Sequence, residues 1–304
     1  MIRLRARAPA KVNLVLRVGP ARVDGYHDIQ SLFVPLDLAD EVLVAVGDRP
    51  GPVTCRCPGR PELDGPDNLA ARAAEALRRR LGREERVDVT VRKRIPVVAG
   101  LGGGSSDAAA VLRCLARAFR VRDARLLAEV GLAVGSDVPF FLGDGPAWAR
   151  GRGERLRPAV VPPAHLVLLY PRDPALAIRA GDAYRWLDED RRAGPMPQRG
   201  RPSARRPEND LMAPCLARRP ALEVLRGWLA DAGAALPIMS GSGPTFVGSF
   251  TGRKEAREAA RRLHGRRLAG SEVEVIVART LARMRGTSPW KSPRSASSRS
   301  TRTS

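Results

Sequence analysis

Apolar and polar residues alternate through much of the first half of the chain, with the period of two that is typical of strands. Alternating stretches occur at residues 11–18, 27–38, 41–46 and 86–96. Elsewhere in this half, the spacing of apolar residues predicts helices over residues 67–82, with Asp67 or Asn68 as the cap, about 105–120, and 123–134. The pattern predicts an early antiparallel sheet accompanied by helices.

The second half follows a stretch rich in proline and glycine at residues 151–165, which suits a boundary between domains. The pattern then predicts a strand at 166–171, an exposed arginine- and proline-rich loop at 191–207, helices near 209–219 and 221–232, a small-residue loop at 239–246, another helix, and a strand at 273–278. Residues 286–304 contain almost no apolar residues. We predict an N-terminal domain over 1–155, a C-terminal domain over 156–285, and a disordered basic tail over 286–304.

The composition of the 304 residues, 43% hydrophobic and 28% charged, is that of a globular protein. Apolar runs fall far short of the ~20 residues that span a bilayer, and the opening residues lack the pattern of a secretory signal. The cysteines, Cys55, Cys57, Cys114 and Cys215, match neither a zinc site nor a disulfide scaffold. We expect free thiols in a cytoplasmic protein with no membrane segment.

The net charge of +21 is the feature that favours a nucleic-acid partner. Only four of the 53 basic residues are lysine, however, and the arginines are scattered through every segment rather than grouped. Aromatic residues make up only 4% of the chain, so stacking platforms for bases are scarce. The charge is better explained by a surface that is basic throughout, and we predict no specific nucleic-acid partner.

The stretch PVVAGLGGGSSDAAAVL, residues 96–112, places four glycines and two serines directly before a predicted helix. Such glycines expose backbone N–H groups beside the positive end of the helix dipole, which makes a site for phosphate. A Walker loop is excluded because no lysine lies between Lys93 and Lys254. A dinucleotide fingerprint meets Ser105 where its third glycine belongs. The alternative is a loop that is flexible only for tight packing.

Three other features suggest a phosphate site only when they are considered together with this loop. Lys11, one of the four lysines, lies in a predicted strand among apolar neighbours, which suggests a need for a compact ammonium. Asp137 stands between small residues and an apolar run, and it suits either a functional carboxylate or a helix cap. The second loop of small residues, GSGP at 241–244, is equally consistent with a simple turn.

Six segments occur in one order between residues 8 and about 278: APAKVNLVLRV, DGYHDIQSLFVPLDLAD, PVVAGLGGGSSDAAAVL, VGSDVPFF, ENDL and MSGSGPTF. In sequence and spacing they resemble the GHMP kinase superfamily and, within it, the family of kinases that act on 4-diphosphocytidyl-2-C-methyl-D-erythritol. The resemblance implies an α+β fold of two domains, with a ribosomal-protein-S5-like N-terminal domain and a ferredoxin-like α/β sandwich as the C-terminal domain. ATP is expected to bind between the domains.

The resemblance also implies a reaction, the transfer of the γ-phosphoryl group of ATP, with Mg²⁺, to the C2 hydroxyl of the cytidylyl substrate. Lys11 and Asp137 match the catalytic pair. Substrate contacts are implied for Asn13, Tyr26, His27 and Tyr184, the last three around cytosine. ATP contacts are implied for Pro96, Val97, Val98, Ala99, Gly100, Leu101, Gly102, Gly103, Gly104, Ser105 and Ser106, for Asn68 near adenine, and Ser106 is the candidate metal ligand. Ala180 departs from the family, which usually has Ser or Thr there.

Two alternatives stay open at this point. Another GHMP kinase, of homoserine or mevalonate type, would share the glycine loops, but the DGYH segment argues against it because those small substrates offer no base for an aromatic ring to stack on. A basic nucleic-acid-binding protein is the alternative from another class, and DNA affinity that falls steeply with salt would favour it. For the kinase, we expect a monomer or weak homodimer.

Overall fold

A computed structural model describes residues 1–192, 200–284 and 286–289 of the chain. Its centre is a long antiparallel pair of strands, β1 (Ile2–Ala21) and β2 (His27–Pro50), joined by a turn in which Gly25 has a φ of 78°. The alternating stretches predicted at 27–38 and 41–46 form one strand, because residues 39 and 40 also stay paired with β1.

The other elements of the first half place helices against this sheet. In chain order they are β3 (Val53–Arg56), α1 (Leu69–Arg80), β4 (Glu85–Arg92), α2 (Gly103–Ala118), α3 (Ala124–Val134), α4 (Val138–Leu142), β5 (Ala147–Gly151) and β6 (Arg155–Pro158). The three predicted helices are present as α1, α2 and α3, and the Asn68 side chain caps α1. Helix α2 begins slightly earlier than predicted because Gly102, in the left-handed conformation, is its N-cap.

The second half builds a separate antiparallel sheet. The elements of the second half, of which β8 and β13 join the first sheet, are β7 (His165–Pro171), α5 (Ala180–Arg191), β8 (Glu208–Asn209), α6 (Met212–Arg218), α7 (Glu223–Asp231), β9 (Ala235–Met239), β10 (Phe246–Phe250), α8 (Arg253–Leu263), β11 (Arg267–Leu268), β12 (Ser271–Arg279) and β13 (Ser288–Pro289). The sequence pattern did not predict α5, since Ala183 and Leu187 are its only buried residues. Part of the loop predicted at 191–207, residues 193–199, lies outside the described residues.

Apolar clusters hold these layers together. The first sheet has the order β13-β1-β2-β4-β3, with β5 also paired to β2 and β8 to β1, and helices α1–α4 pack on it. The second sheet has the order β11-β12-β7-β10-β9 and is covered by α5–α8. A third cluster, which includes Val12, Val34 and Leu168, joins the two halves. Within the described part of the chain, none of the helices combines the length and apolar composition that crossing a bilayer requires.

The chain returns to the first half after β12. The Leu281 N–H donates to Pro35 O at 2.8 Å, Met284 is buried in the cluster of the first half, and β13 pairs with β1. The predicted disordered tail therefore starts too early at residue 286, because the edge of β1 offers backbone groups with which Ser288 pairs. Residues 290–304, the rest of that tail, lie outside the described residues. The domain limits at 155 and 285 stay predictions.

Candidate active site

A cavity of about 590 Å³ lies where β1, the glycine-rich loop, α5 and the loop between β9 and β10 meet. Many of its lining residues are ones that the sequence analysis singled out: Lys11, Asn13, Tyr26, His27, Gly100, Gly102, Ser105, Asp137, Ala180 and Tyr184. The structure thus brings the predicted catalytic pair, part of the glycine loop and the predicted substrate residues to one place, although they come from both halves of the chain.

Lys11 lies on β1 and is only 5% exposed. Its ammonium donates to Asn13 Oδ1 at 2.6 Å and lies 3.4 Å from Asp137 Oδ2. Lys11 and Asn13 share a face of the strand because they are two residues apart. Asn13 Nδ2 donates in turn to Ser31 Oγ at 2.8 Å, which orients the amide. The buried cation therefore has an amide oxygen and a carboxylate as partners, which offset the cost of its burial.

Asp137 occupies the N-cap position of α4 but makes no capping hydrogen bond with its side chain. The carboxylate instead faces Lys11 and is 29% exposed toward the cavity. Val138, Phe140 and Phe141 follow it and are buried, so the short helix fixes the backbone from which the carboxylate projects. The side chain of Asp137 therefore does not act as a helix cap, and its role as a functional carboxylate stays a prediction.

The glycine-rich loop wraps around Lys11. The Lys11 N–H donates to Leu101 O at 2.9 Å, and Gly100 and Gly102 have φ values of 72° and 70°. A Cβ on Gly102 would lie 3.0 Å from Lys11 Cγ and from the Phe141 ring. The first N–H groups of α2, which begin at Gly103, have no acceptor within the helix. They form the positive end of the helix dipole. The left-handed conformation and the close approach are therefore what require glycine at 102.

The two serines after the glycines lie in different surroundings. Ser105 lines the cavity, and its Oγ would lie 3.6 Å from a Cβ on Gly135. Ser106 is fully buried, and its hydroxyl has no hydrogen-bond partner among the described residues. The structure thus presents the hydroxyl of Ser105 to the cavity and turns that of Ser106, the predicted metal ligand, into the protein.

The rest of the predicted ATP segment shows how the loop is held. Ala99 and Leu101 are buried in the cluster that joins the two halves, and Val97 O accepts a hydrogen bond from Tyr170 Oη at 3.0 Å. Val98 is half exposed and has a φ of 54°, which is unusual for a branched residue. Pro96, Gly103 and Gly104 complete the segment without lining the cavity. Apolar packing thus fixes Ala99 and Leu101, and the glycines of the loop are not covered by side chains of their own.

The second glycine loop, between β9 and β10, meets the first one at Lys11. Ser240 Oγ donates to Gly100 O at 3.1 Å, and a Cβ on Gly241 would lie 3.5 Å from Lys11 Nζ. Asn209 Nδ2 donates to Met239 O and to Gly241 O, both at 2.7 Å, which holds the loop against β8. The loop that resembled a simple turn in the sequence is thus a wall of the cavity.

The opposite end of the cavity contains aromatic residues. Tyr26 is half exposed, and the Arg152 guanidinium lies 4.3 Å from its ring centroid. The His27 and Tyr184 rings stack with centroids 5.0 Å apart, and His27 Nε2 lies 2.9 Å from Asp188 Oδ1. Burial raises the pKa of the Tyr184 hydroxyl, and the charge of Asp137 adds to this effect. The end with aromatic rings and the end with Lys11 and Asp137 therefore belong to one site.

Asn68 lies outside this cavity. Its Oδ1 accepts from the Ala70 N–H at 2.9 Å, and its Nδ2 donates to Leu63 O at 2.8 Å. The next residue, Leu69, lies 3.2 Å from where a Cβ on Gly104 would stand, so the start of α1 borders the start of α2. A contact of Asn68 with adenine stays a prediction.

Comparison with known proteins decides the family. The model of the GHMP kinase N-terminal domain matches residues 68–145. The 4-diphosphocytidyl-2-C-methyl-D-erythritol kinase of Anaeromyxobacter sp. (strain K) is 65% identical over 309 residues, which cover 100% of this chain and 99% of the relative. The chain belongs to the 4-diphosphocytidyl-2-C-methyl-D-erythritol kinase family. The expected resemblance is thereby confirmed, and the homoserine and mevalonate kinase alternatives are not supported.

Two further relatives agree with this assignment. The 4-diphosphocytidyl-2-C-methyl-D-erythritol kinase of Deinococcus radiodurans is 42% identical, and the match covers 83% of this chain and 86% of the relative. A crystal structure of a 4-(cytidine 5'-diphospho)-2C-methyl-D-erythritol kinase superimposes with a TM-score of 0.70 at 35% identity, covering 90% of this chain and 98% of that one. The predicted α+β fold of GHMP kinases is therefore confirmed.

A buried ionic cluster next to the glycine loop was missed by the sequence analysis. Lys93 Nζ donates to Asp40 Oδ2 at 2.5 Å and to Asp107 Oδ2 at 2.7 Å, and the three side chains are at most 9% exposed. Burial raises the pKa of Asp107 to about 8, although Lys93 opposes this shift. A Cβ on Gly103 would lie 3.3 Å from Lys93 Nζ, so the cluster supports the first turn of α2. The available signal was the rarity of lysine in the chain.

We predict that Gly102→Ala weakens ATP binding at least about tenfold. A side chain in the left-handed conformation costs about 1–2 kcal/mol, and this Cβ would also displace Lys11 and Phe141. Calorimetric titration with ATP measures the effect. The matched control is Gly82→Ala, which has a φ of 61° but open space around the new Cβ. Equal ATP affinity in the two variants would show that the close approach at Gly102 is unimportant.

We predict that Lys93→Met lowers the free energy of unfolding by about 3–5 kcal/mol, because it removes the ammonium to which the buried carboxyl groups of Asp40 and Asp107 are both hydrogen-bonded. Urea denaturation followed by circular dichroism measures the loss. The control is Lys254→Met, at an exposed lysine on α8. A loss no larger than that of the control contradicts a stabilising role for the cluster.

Proposed function

We propose that the chain transfers the γ-phosphoryl group of ATP to the C2 hydroxyl of 4-diphosphocytidyl-2-C-methyl-D-erythritol, giving the 2-phosphate and ADP in the non-mevalonate route to isoprenoid precursors. The observation that supports this most directly is the single cavity, which joins the Lys11 and Asp137 pair to the aromatic end at Tyr26, His27 and Tyr184. A substrate with a hydroxyl at one end and a base at the other suits such a cavity, and the names of the relatives agree.

Asp137 is the group that removes the proton from the substrate hydroxyl. Its Oδ2 accepts this proton while the hydroxyl oxygen forms a bond to the γ-phosphorus and the bond from that phosphorus to ADP breaks. Lys11 orients the carboxylate from 3.4 Å and offsets the negative charge that develops during transfer. Asn13 holds the ammonium in this position through its Oδ1. The reaction therefore needs positioning and charge neutralisation and no covalent enzyme intermediate.

The glycine loop fits the phosphates of ATP. The glycines at 100 and 102 are left-handed, Gly104 is exposed, and the first N–H groups of α2 are available to an anion. When bound, Mg²⁺ with ATP supplies the transferable phosphoryl group and neutralises charge on its oxygens. Among the described residues there is no group of three His, Cys, Asp or Glu that would hold a metal alone. We therefore propose that Mg²⁺ arrives with ATP, and Ser105, which lines the cavity, is better placed than Ser106 to contact it.

The cellular setting belongs to the same proposal. The four cysteines are buried and unpaired, which is typical of proteins in a reducing compartment and supports a cytoplasmic enzyme. The partner of the site is the small-molecule substrate. We further propose a monomer or weak homodimer with no specific nucleic-acid partner, a state that analytical ultracentrifugation with and without DNA would test.

Release of ADP in a coupled assay tests the proposed substrate. We expect turnover of 4-diphosphocytidyl-2-C-methyl-D-erythritol, and a kcat/KM at least about tenfold lower for 2-C-methyl-D-erythritol 4-phosphate, because a stacked base contributes roughly 1–3 kcal/mol. Homoserine and mevalonate are expected to be inactive controls. Equal kcat/KM with and without the cytidylyl group contradicts recognition of the base, and turnover of homoserine or mevalonate alone contradicts the proposed function.

Asp137→Asn keeps the shape of the side chain and removes its ability to accept the proton. We expect kcat of the folded variant to fall about 10²-fold or more, with little change in the KM for ATP or in the KM for the cytidylyl substrate. Asp231→Asn, at an exposed position at the end of α7, is the control and should keep wild-type kinetics. Near-normal turnover by a folded Asp137→Asn enzyme removes this carboxylate from the mechanism.

A further inference from the structure

Asp188 is a polar residue of the cavity for which neither the sequence pattern nor the proposed mechanism has a role. It lies on α5, and its two carboxylate oxygens lie 2.9 and 3.0 Å from His27 Nε2. Residues four apart on a helix share a face, so Tyr184 and Asp188 reach the same imidazole ring. Arg185 also lines the cavity, but it pairs with Asp182 and Glu189. The carboxylate of Asp188 is thus directed to the histidine.

The carboxylate determines which ring nitrogen of His27 carries a proton. An ionised carboxylate only accepts hydrogen bonds, so Nε2 is the donor in this pair. Nδ1 makes no hydrogen bond to any residue that the structure describes. The ring is also restrained, because Tyr184 stacks on it and its side chain is only 7% exposed. Nδ1 is therefore the ring atom left for a ligand.

A neutral ring held in this way offers Nδ1 as an acceptor. The exocyclic amino group of cytosine is a hydrogen-bond donor, whereas uracil carries a carbonyl oxygen at the same position. The amino group of cytosine can donate to Nδ1. The carbonyl oxygen of uracil would instead face Nδ1 as a second acceptor, and neither atom would have a donor. A site that leaves polar groups unpaired with the wrong ligand discriminates strongly against it.

We propose that Asp188 is a positioning residue for base selection: it holds His27 with Nε2–H toward α5 and leaves Nδ1 as an acceptor, which favours a pyrimidine with an amino group over one with a carbonyl. This inference rests on the proposed function, since it assigns an edge of the substrate base to His27. In this proposal Asp188 acts through the histidine.

Steady-state kinetics with the cytidylyl substrate and its uridylyl analogue test the proposal. Asparagine at 188 either accepts from Nε2 or donates to it, so Asp188→Asn frees the ring to carry its proton on Nδ1. We expect KM for the cytidylyl substrate to rise about tenfold and the preference for cytosine over uracil in kcat/KM to fall about tenfold. The KM for ATP and kcat should not change, because Lys11 and Asp137 are untouched.

The matched control is Asp190→Asn, on the same helix, where the carboxylate pairs with Arg218 at 2.9 Å. This variant should keep the wild-type preference for cytosine. An unchanged preference in a folded Asp188→Asn enzyme, or an equal loss in Asp190→Asn, overturns the proposal.

The tautomer of His27 is also measurable without turnover. Long-range ¹H–¹⁵N spectra at about pH 8 resolve the imidazoles of the three histidines, and the signals of His27 are those lost in His27→Gln. We expect a neutral ring protonated at Nε2 in the wild type and a shift toward the Nδ1-protonated form in Asp188→Asn. A doubly protonated ring, or no change in the variant, overturns the proposal. If the wild type turns over neither substrate, the proposed function fails while these spectra still test Asp188.

Discussion

The buried ammonium of Lys11 is the interaction on which the arrangement of the site depends. Its Nζ lies between Asn13 Oδ1 and Asp137 Oδ2, while the backbone N–H of the same residue donates to Leu101 O. One residue of β1 therefore joins the strand, the glycine loop and the start of α4. A buried cation without partners would cost several kcal/mol, so the partners and the cation hold one another in place. Gly102 completes the arrangement because a larger residue would collide with the lysine side chain.

Two lysines are buried next to the glycine loop in a chain whose basic residues are nearly all arginine. Lys11 lies in front of the glycine loop and Lys93 lies behind it, each against carboxylates. A compact ammonium on a flexible stem fits between closely packed strands and the start of a helix, where the planar guanidinium of arginine would need a larger space. The remaining positive charge is carried mostly by arginines outside the site. The net charge is therefore a property of the protein surface and does not indicate the reaction that the site carries out.

Helix α5 supplies the other end of the site. His27 lies at the turn after β1, and Asp188, 161 residues later in the chain, holds its ring together with Tyr184. The apolar cluster of the second half contains Leu16 and Val18 of β1 as well as Ala183 and Leu187 of α5, so it fixes this helix against the strand that precedes His27. In the proposed function, catalysis depends on residues of the first half, and recognition of the base also depends on α5 of the second half.

Local sequence was enough to predict the elements with a clear period and the residues with rare chemistry. The strands around Lys11, the three helices of the first half, the glycine loop and Asp137 could be predicted because each has a local signature in spacing, glycine content or an unexpected charge. Features without a local signature became visible only in the folded chain. The hydrogen-bond partners of Asp188 and Lys93 are distant in the chain. Ser105 and Ser106 differ only in the direction that each side chain faces. Ser288 forms part of a strand because the edge of β1 is near. Burial and hydrogen bonding between distant segments depend on where the chain returns, and local sequence carries little information about that.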